Sequence, residues 1–238
     1  LKPGLPVSYD LPDHYHFSCV FLNGPWDNSW GAGYTTISYL PVPYFVSSMI
    51  LTIFGFNTLT FKLFLLFLFI VLIYSTSWLS QRFDVSKIQG FLSTLIFATS
   101  PALLYAYIAG WYTTIINLIF FYTFSGAFLQ TRKSGSKTWT HMAIISLAGA
   151  LSSHVYSYIA VAGLSLPYFV SDILRYFQAK REGNRINSTK ASKNIRMILI
   201  ILLGGSLLAI PASIPFLSFV TTVGSQTPSP HISRRDIL

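Results

Sequence analysis

The chain has 238 residues, of which 52% are hydrophobic and only 10% are charged, with a mean hydropathy of +0.55. Because soluble domains carry about 25% charged residues, this composition excludes a protein that water surrounds on every side. The formal net charge of +9 would suit a nucleic-acid partner, but the positions of the cations argue against one. Twelve of the sixteen Lys and Arg residues lie in three short segments between apolar runs, which is typical of cytoplasmic loops in membrane proteins.

We therefore predict an all-α, polytopic transmembrane bundle at the plasma membrane, in contact with membrane lipid and without a nucleic-acid partner. The basic segments are residues 80–87, 131–137 and 172–196, and we predict that all three are cytoplasmic loops. The chain begins without Met and ends soon after Arg234-Arg235. We therefore expect it to be part of a longer polypeptide that continues beyond residue 238.

Residues 1–35 are polar by the standards of this chain, and four prolines interrupt them. The next segment, residues 36–56, carries no charge and is about long enough to span a membrane, although Pro41 and Pro43 interrupt its start. It either crosses the membrane or lies against the same face as residues 1–35. The single cation of residues 1–35, Lys2, favours the second arrangement. In that arrangement, residues 1–58 would form an external loop with juxtamembrane helices, whereas a crossing by residues 36–56 would make the loop cytoplasmic.

Residues 59–238 are predicted to form the transmembrane domain, with about six spans. Residues 59–79 form one span by length and hydropathy. The uncharged stretches 88–131 and 137–172 lie between basic segments, so each is predicted to cross twice, with tips near residues 109–111 and 152–154. The last span is predicted at residues 197–217, kinked by its prolines at 211 and 215, which are the sequence's candidates for a broken helix.

Six short motifs follow one another along the first third of the chain: DLPDH (10–14), NGPW (23–26), WGAGY (30–34), YLPVPY (39–44), IFG (53–55) and SQRF (80–83). Their order resembles the first part of the GT-C superfamily of multipass glycosyltransferases, which use lipid-phosphate-linked sugars. It is most similar to the large prokaryotic membrane proteins labelled 6-pyruvoyl-tetrahydropterin synthase-related. The resemblance covers about residues 8–110.

The resemblance implies that Asp10 matches the essential aspartate of the external loop in that superfamily. It also implies that residues 36–56 match a helix that does not cross, and that Arg82 matches the cytoplasmic end of the following span. The implied reaction moves a sugar from a polyprenyl-phosphate-linked donor to an acceptor at the external membrane face.

Three residues of the loop are candidates for catalysis: Asp10, Asp13 and His14. An aspartate suits the base that deprotonates the acceptor. A divalent cation, Mg²⁺ or Mn²⁺, held by Asp10 and Asp13 would offset the phosphate charge of the leaving group. The alternative is an ordinary solvated loop, in which the aspartates cap a helix and the histidines lie at the membrane interface.

Five further residues are candidates for substrate binding, with an ordinary structural role as the alternative for each. The aromatic residues could stack on a sugar or anchor in the headgroup layer, and the histidines could line the site or bond to a neighbouring carbonyl. These candidates are His16, Trp26, Trp30, Tyr34 and His154.

Two other classes of protein remain open. A transporter or flippase-like carrier would be multipass without catalysis, and such carriers often contain helices that are broken within the membrane. A catalytically silent scaffold subunit would keep the helices without the chemistry. The sequence does not indicate the oligomeric state.

Overall fold

The computed structural model describes residues 15–16, 18–19, 21, 26–27, 34–35, 41–83, 85–108 and 111–225. Within these residues the structure is helical, apart from turns and one pair of two-residue strands. The strands are β1 (Trp26–Asp27) and β2 (Tyr34–Thr35), which pair antiparallel. The helices are α1 (Val42–Phe54), α2 (Thr58–Ser80), α3 (Lys87–Ala98), α4 (Pro101–Ile108), α5 (Tyr112–Ser134), α6 (Lys137–Leu151), α7 (Ser157–Arg181) and α8 (Arg185–Ser225).

Four of these helices are long and apolar enough to cross a membrane, namely α2, α5, α7 and α8. The prediction of an all-α membrane protein is confirmed at this level. The remaining two predicted crossings fall on shorter helices. One corresponds to α3 and α4, of 12 and 8 residues, and the other to α6, of 15 residues.

One end of the bundle, which we call the tip end, collects the starts of α2 and α5 and the turn between α6 and α7. The ring of Phe61 in α2 lies edge-on to that of Tyr112 in α5, with centroids 5.7 Å apart. Helix α1 also lies at this end. The amide of Val42 donates to the carbonyl of Ser152 at 3.3 Å, and the Phe54 carbonyl accepts from the Thr60 hydroxyl at 3.2 Å. Both ends of α1 are therefore at the tip end, as a helix that does not cross would require.

The opposite end, which we call the basic end, collects the ends of α2 and α5 and the start of α6. Here the Lys133 ammonium donates to the Arg82 carbonyl at 2.9 Å. The guanidinium of Arg82 lies over the rings of Trp78 and Trp139, 4.8 and 5.5 Å from their centroids. The cation–π contacts join α2 to α6, and the hydrogen bond of Lys133 adds α5 to the same end.

Close packing between α2 and α5 depends on one glycine. A Cβ atom on Gly126 would lie 2.1 Å from Cζ3 of Trp78, so any larger residue would force the indole away. Small residues allow this kind of close helix approach in membranes, where the hydrophobic effect does not drive helices together. The centre of α5 is accordingly buried, including Phe124, Ala127 and Phe128.

The prediction that residues 172–196 form a loop is wrong. Helix α7 continues to Arg181 and α8 begins at Arg185, with a short turn between them in which Gly183 adopts a positive φ of 69°. Lys, Arg, Gln and Ala are good helix formers, so these helices extend past the apolar stretch. The charges mark where hydrocarbon ends and not where the helix ends.

The expected site of a broken helix is also corrected. Helix α8 continues through Pro211 and Pro215. The break lies instead between α3 and α4, where the Ser100 hydroxyl accepts from the amide of Leu103 at 3.3 Å and Pro101 begins the next helix. A serine cap followed by proline is a usual helix start.

A buried ion pair joins α5, α7 and α8 near the basic end. Nη1 of Arg132 lies 2.5 Å from Oδ2 of Asp172, and the two side chains are only 12% and 1% exposed. The Arg132 guanidinium also lies 4.7 Å from the ring centroid of Tyr168, and Nδ2 of Asn194 lies 3.5 Å from Oδ1 of Asp172. Asp172 was assigned to a solvated loop from the sequence, yet it is among the most buried residues of α7.

Removing one partner of this pair should destabilise the protein strongly, because the other charge would remain buried without a counterion. We expect Asp172→Asn to lower the free energy of unfolding by about 3–5 kcal/mol, measured by denaturant titration in mixed micelles. The double variant Arg132→Met, Asp172→Leu should lose less than the sum of the two single variants. The control, Glu182→Gln, removes an exposed carboxylate and should change stability by less than about 0.5 kcal/mol. Equal effects of Asp172→Asn and Glu182→Gln would contradict the role of the pair.

Candidate functional site

The candidate site lies at the tip end, where a short stretch before α1 packs onto the bundle. We call this stretch the docked segment, and its described residues are Tyr15, His16, Ser18, Cys19 and Phe21. It follows Asp13 and His14 directly in the sequence. Asp13 and His14 themselves lie outside the described residues.

Three hydroxyl groups fix the docked segment to α1 and α5. The Ser18 oxygen lies 2.6 Å from that of Ser47 and 3.2 Å from the phenol oxygen of Tyr112, and the Ser47 oxygen lies 3.4 Å from the same phenol. All three residues are fully buried. We call them the hydroxyl cluster. Because buried hydroxyls are costly without partners, this cluster selects one docking position among those that apolar contact alone would allow.

Backbone and aromatic contacts support the same position. The Ser48 hydroxyl donates to the carbonyl of Ser18. The ring of Tyr15 lies edge-on to Phe61 with centroids 5.2 Å apart, and the ring of Phe21 stacks on Tyr44 at 6.2 Å. The docked segment is thus held by α1 on one side and by α2 and α5 on the other.

The sequence-predicted residues fall into two groups. Asp10, Asp13, His14 and Trp30 lie outside the described residues, so their roles stay predictions. The backbones of Trp26 and Tyr34 belong to β1 and β2, where Trp26 pairs with Thr35 and Asp27 with Tyr34. His16 lies in the docked segment and is partly buried.

His154 lies in the turn between α6 and α7, at the same end of the bundle as the docked segment. Its ring stacks on Tyr156 with centroids 5.1 Å apart, and Nδ1 accepts from the Tyr156 amide at 3.3 Å. Burial lowers the pKa of His154 below its ordinary value of 6.5. The imidazole is therefore neutral at pH 7, and it is suited to hydrogen bonding and not to binding phosphate by charge.

A second buried polar contact lies beneath this turn. The Ser157 hydroxyl donates to Oδ1 of Asn117 at 2.5 Å, and Ser152 and Ser153 are also buried. Neither this contact nor the hydroxyl cluster was predicted from the sequence, because only ionisable and aromatic residues were considered. Asn117, an asparagine inside an otherwise apolar helix, is the signal that could have indicated the contact with Ser157.

No group of three or more His, Cys, Asp or Glu residues that could hold a metal ion occurs within the described part of the chain. The predicted ligands Asp10 and Asp13 are not in that part. The prediction of Mg²⁺ or Mn²⁺ on these two residues therefore remains a prediction.

Cys19 reports on whether the segment is docked, because it packs against the bundle beside Tyr15. Burial raises the pKa of the Cys19 thiol, and a hydrogen bond from Tyr15 opposes this change only in part. Burial also raises the pKa of the Tyr15 phenol, and the charge of the neighbouring Cys19 thiolate and its hydrogen bond with Tyr15 raise it further. The thiolate, which is the reactive form, is thus scarce at neutral pH.

We expect Cys19 to react slowly with maleimide at pH 7.5 and its rate to keep rising above about pH 8.5, the pKa of an unperturbed cysteine. The comparison is a cysteine at the exposed position of Ser134, introduced in a Cys19→Ser background, whose rate should level off at lower pH. Both rates are measured on the purified protein in detergent. Identical pH profiles would show that the segment is not docked in solution.

The fold and its four apolar helices indicate a helical membrane protein. No family model matches the chain, and a search of curated proteins finds no match.

Proposed function

We propose that this chain is part of a GT-C-like membrane glycosyltransferase, which moves a sugar from a polyprenyl-phosphate-linked donor to an acceptor at the external face. The observation that carries the proposal is the docked segment. This segment lies at the tip end, opposite the cations of the basic end, and Asp13 and His14 directly precede it in the sequence. The sequence resemblance implies an acidic loop at the non-basic end of a helical bundle, and the position of the docked segment supports that arrangement.

In the proposed reaction Asp10 removes a proton from the acceptor hydroxyl, with Asp13 and His14 assisting. Asp10 and Asp13 would hold a divalent cation, which would supply positive charge to offset the negative charge of the departing phosphate. His154 supplies a neutral hydrogen-bonding group at the same end. His16, Trp26, Trp30 and Tyr34 bind the sugar, the aromatic residues through their faces.

The proposed topology has the tip end outside the cell and the basic end in the cytoplasm. Helices α3 and α4 together make one crossing. The 12 and 8 helical residues of α3 and α4 together reach about 30 Å at 1.5 Å per residue, which is about the thickness of the hydrocarbon core. Helix α6 makes another, which gives six crossings with α2, α5, α7 and α8. Helix α1 lies along the external face.

The direct test of this function is glycan transfer by the intact protein carrying Asp10→Asn and Asp13→Asn. Loss of the base alone should lower the rate by about 10²–10⁴-fold. Asp27→Asn is the matched control, since it removes a carboxylate of the same loop outside the proposed catalytic group. Unchanged transfer in the double variant, with Cys19 reacting as in the unmodified protein, would refute the assignment.

The topology is tested by labelling intact cells with an impermeant thiol reagent. We expect Cys19 to be labelled from outside, and a cysteine replacing Ser134 in a Cys19→Ser background to be labelled only after permeabilisation. Ser134 is a suitable reporter because its side chain is exposed at the basic end. Labelling of Cys19 only after permeabilisation would place the docked segment inside the cell and remove the external site.

A carrier is the second candidate function, and the break between α3 and α4 favours it. Discontinuous helices are frequent in secondary transporters, where the freed backbone groups bind the cargo. In proteoliposomes, a carrier would move a lipid-linked sugar across the bilayer without transferring the sugar to an acceptor. It would do so whether or not Asp10 and Asp13 are present. A scaffold subunit would do neither.

A further inference from the structure

A cleft between α7 and α8 near the basic end has no part in the proposed reaction. Its volume is about 360 Å³, which lies within the usual range for ligand sites. Its lining is polar apart from two alanines, with two cations, three amide side chains and two carboxylates: Arg175, Lys190, Gln178, Asn187, Asn194, Asp172 and Glu182.

The carboxylate at the floor of the cleft does not oppose an anion, because it is already paired. Asp172 forms the buried ion pair with Arg132 and accepts from Asn194. The other carboxylate, Glu182, is exposed and accepts from Nε2 of Gln178 at 2.9 Å.

The two cations of the cleft are available to a ligand. Arg175 and Lys190 are exposed, and neither takes part in an ion pair within the described part of the chain. They lie in a stretch, residues 172–196, that contains seven cations and only two carboxylates. The cleft is therefore a gap between the two helices that positively charged residues surround. Its cations and amide N–H groups can donate hydrogen bonds to the oxygens of a phosphate group.

Large apolar side chains are exposed on α7 between the cleft and the middle of the bundle. Val170 and Leu174, four residues apart on one face of the helix, are 45% and 64% exposed, and they precede the cleft-lining Arg175. A free phosphate or a soluble nucleotide would make no contact with them. An acyl chain would cover them while its headgroup phosphate lay between the two cations.

We propose that the α7–α8 cleft binds the headgroup phosphate of an anionic phospholipid at the basic face of the membrane. Arg175 and Lys190 contact the phosphate oxygens. Asn187 and Asn194 donate hydrogen bonds, and Val170 and Leu174 contact an acyl chain. The bound lipid bridges two helices that the chain itself connects through a three-residue turn, so binding stabilises their packing.

The test is native mass spectrometry of the full-length protein, titrated with phosphatidylglycerol and, separately, with phosphatidylcholine. We expect the unmodified protein to retain phosphatidylglycerol. The variant Arg175→Gln, Lys190→Gln should bind this lipid at least about tenfold more weakly than the unmodified protein does. The matched control is Lys180→Gln, Arg181→Gln, which removes two neighbouring cations that do not line the cleft and should change the affinity by less than about twofold.

Thermal unfolding provides the second readout, since ligand binding to the folded state raises the melting temperature. Phosphatidylglycerol should raise it in the unmodified protein and the control, and not in the cleft variant.

Three results would overturn the proposal. Equal loss of affinity in the cleft and control variants would mean general attraction between the basic end and anionic lipid. Equal retention of phosphatidylcholine, whose headgroup contains a phosphate but is neutral overall, would mean that the cleft does not select anionic lipid. Full competition by glycerol 3-phosphate at matched concentration would make a soluble phosphate compound the ligand, and the acyl contacts would then have no role.

Discussion

The structure depends on the pairing of polar groups inside an apolar environment. Where water is absent, a polar side chain needs a partner from another part of the chain. The hydroxyl cluster, the contact between Ser157 and Asn117, and the ion pair of Arg132 with Asp172 are three such pairings. Apolar surfaces can pack against each other in many registers, whereas each of these polar contacts can form in only one register. Together they define which helix faces meet at the tip end and near the basic end.

The sequence predicted much of the fold because length and hydropathy are sufficient to locate long spans. The prediction for residues 59–79 differs from α2 (Thr58–Ser80) by one residue at each end, and the tip at 152–154 matches the turn between α6 and α7. It failed where charge was taken to end a helix, as at residues 172–196. Hydropathy reports the surroundings of a helix, whereas its ends depend on caps, glycine and proline.

The candidate site was less accessible to sequence reasoning. The predicted residues were chosen by their chemistry, and His154 does lie at the same end as the docked segment. The residues that hold this segment, Ser18, Ser47 and Tyr112, lack any distinctive signal in the sequence, because a single serine hydroxyl commonly bonds to the preceding turn of its own helix and a single tyrosine commonly anchors at the membrane interface. Only their meeting from three separate elements gives them a role, and that meeting is a property of the tertiary structure.

The break before Pro101 also gives the bundle an uneven stiffness. Pro101 has no N–H group, and the amide of Leu103 bonds to the Ser100 side chain, so the backbone ladder that would stiffen one continuous rod is interrupted between α3 and α4. Elsewhere, α2 and α5 are held at close range by Gly126 and Trp78. The α3–α4 segment therefore resists bending less than one continuous helix of the same length would, and it stands beside two helices that pack at close range.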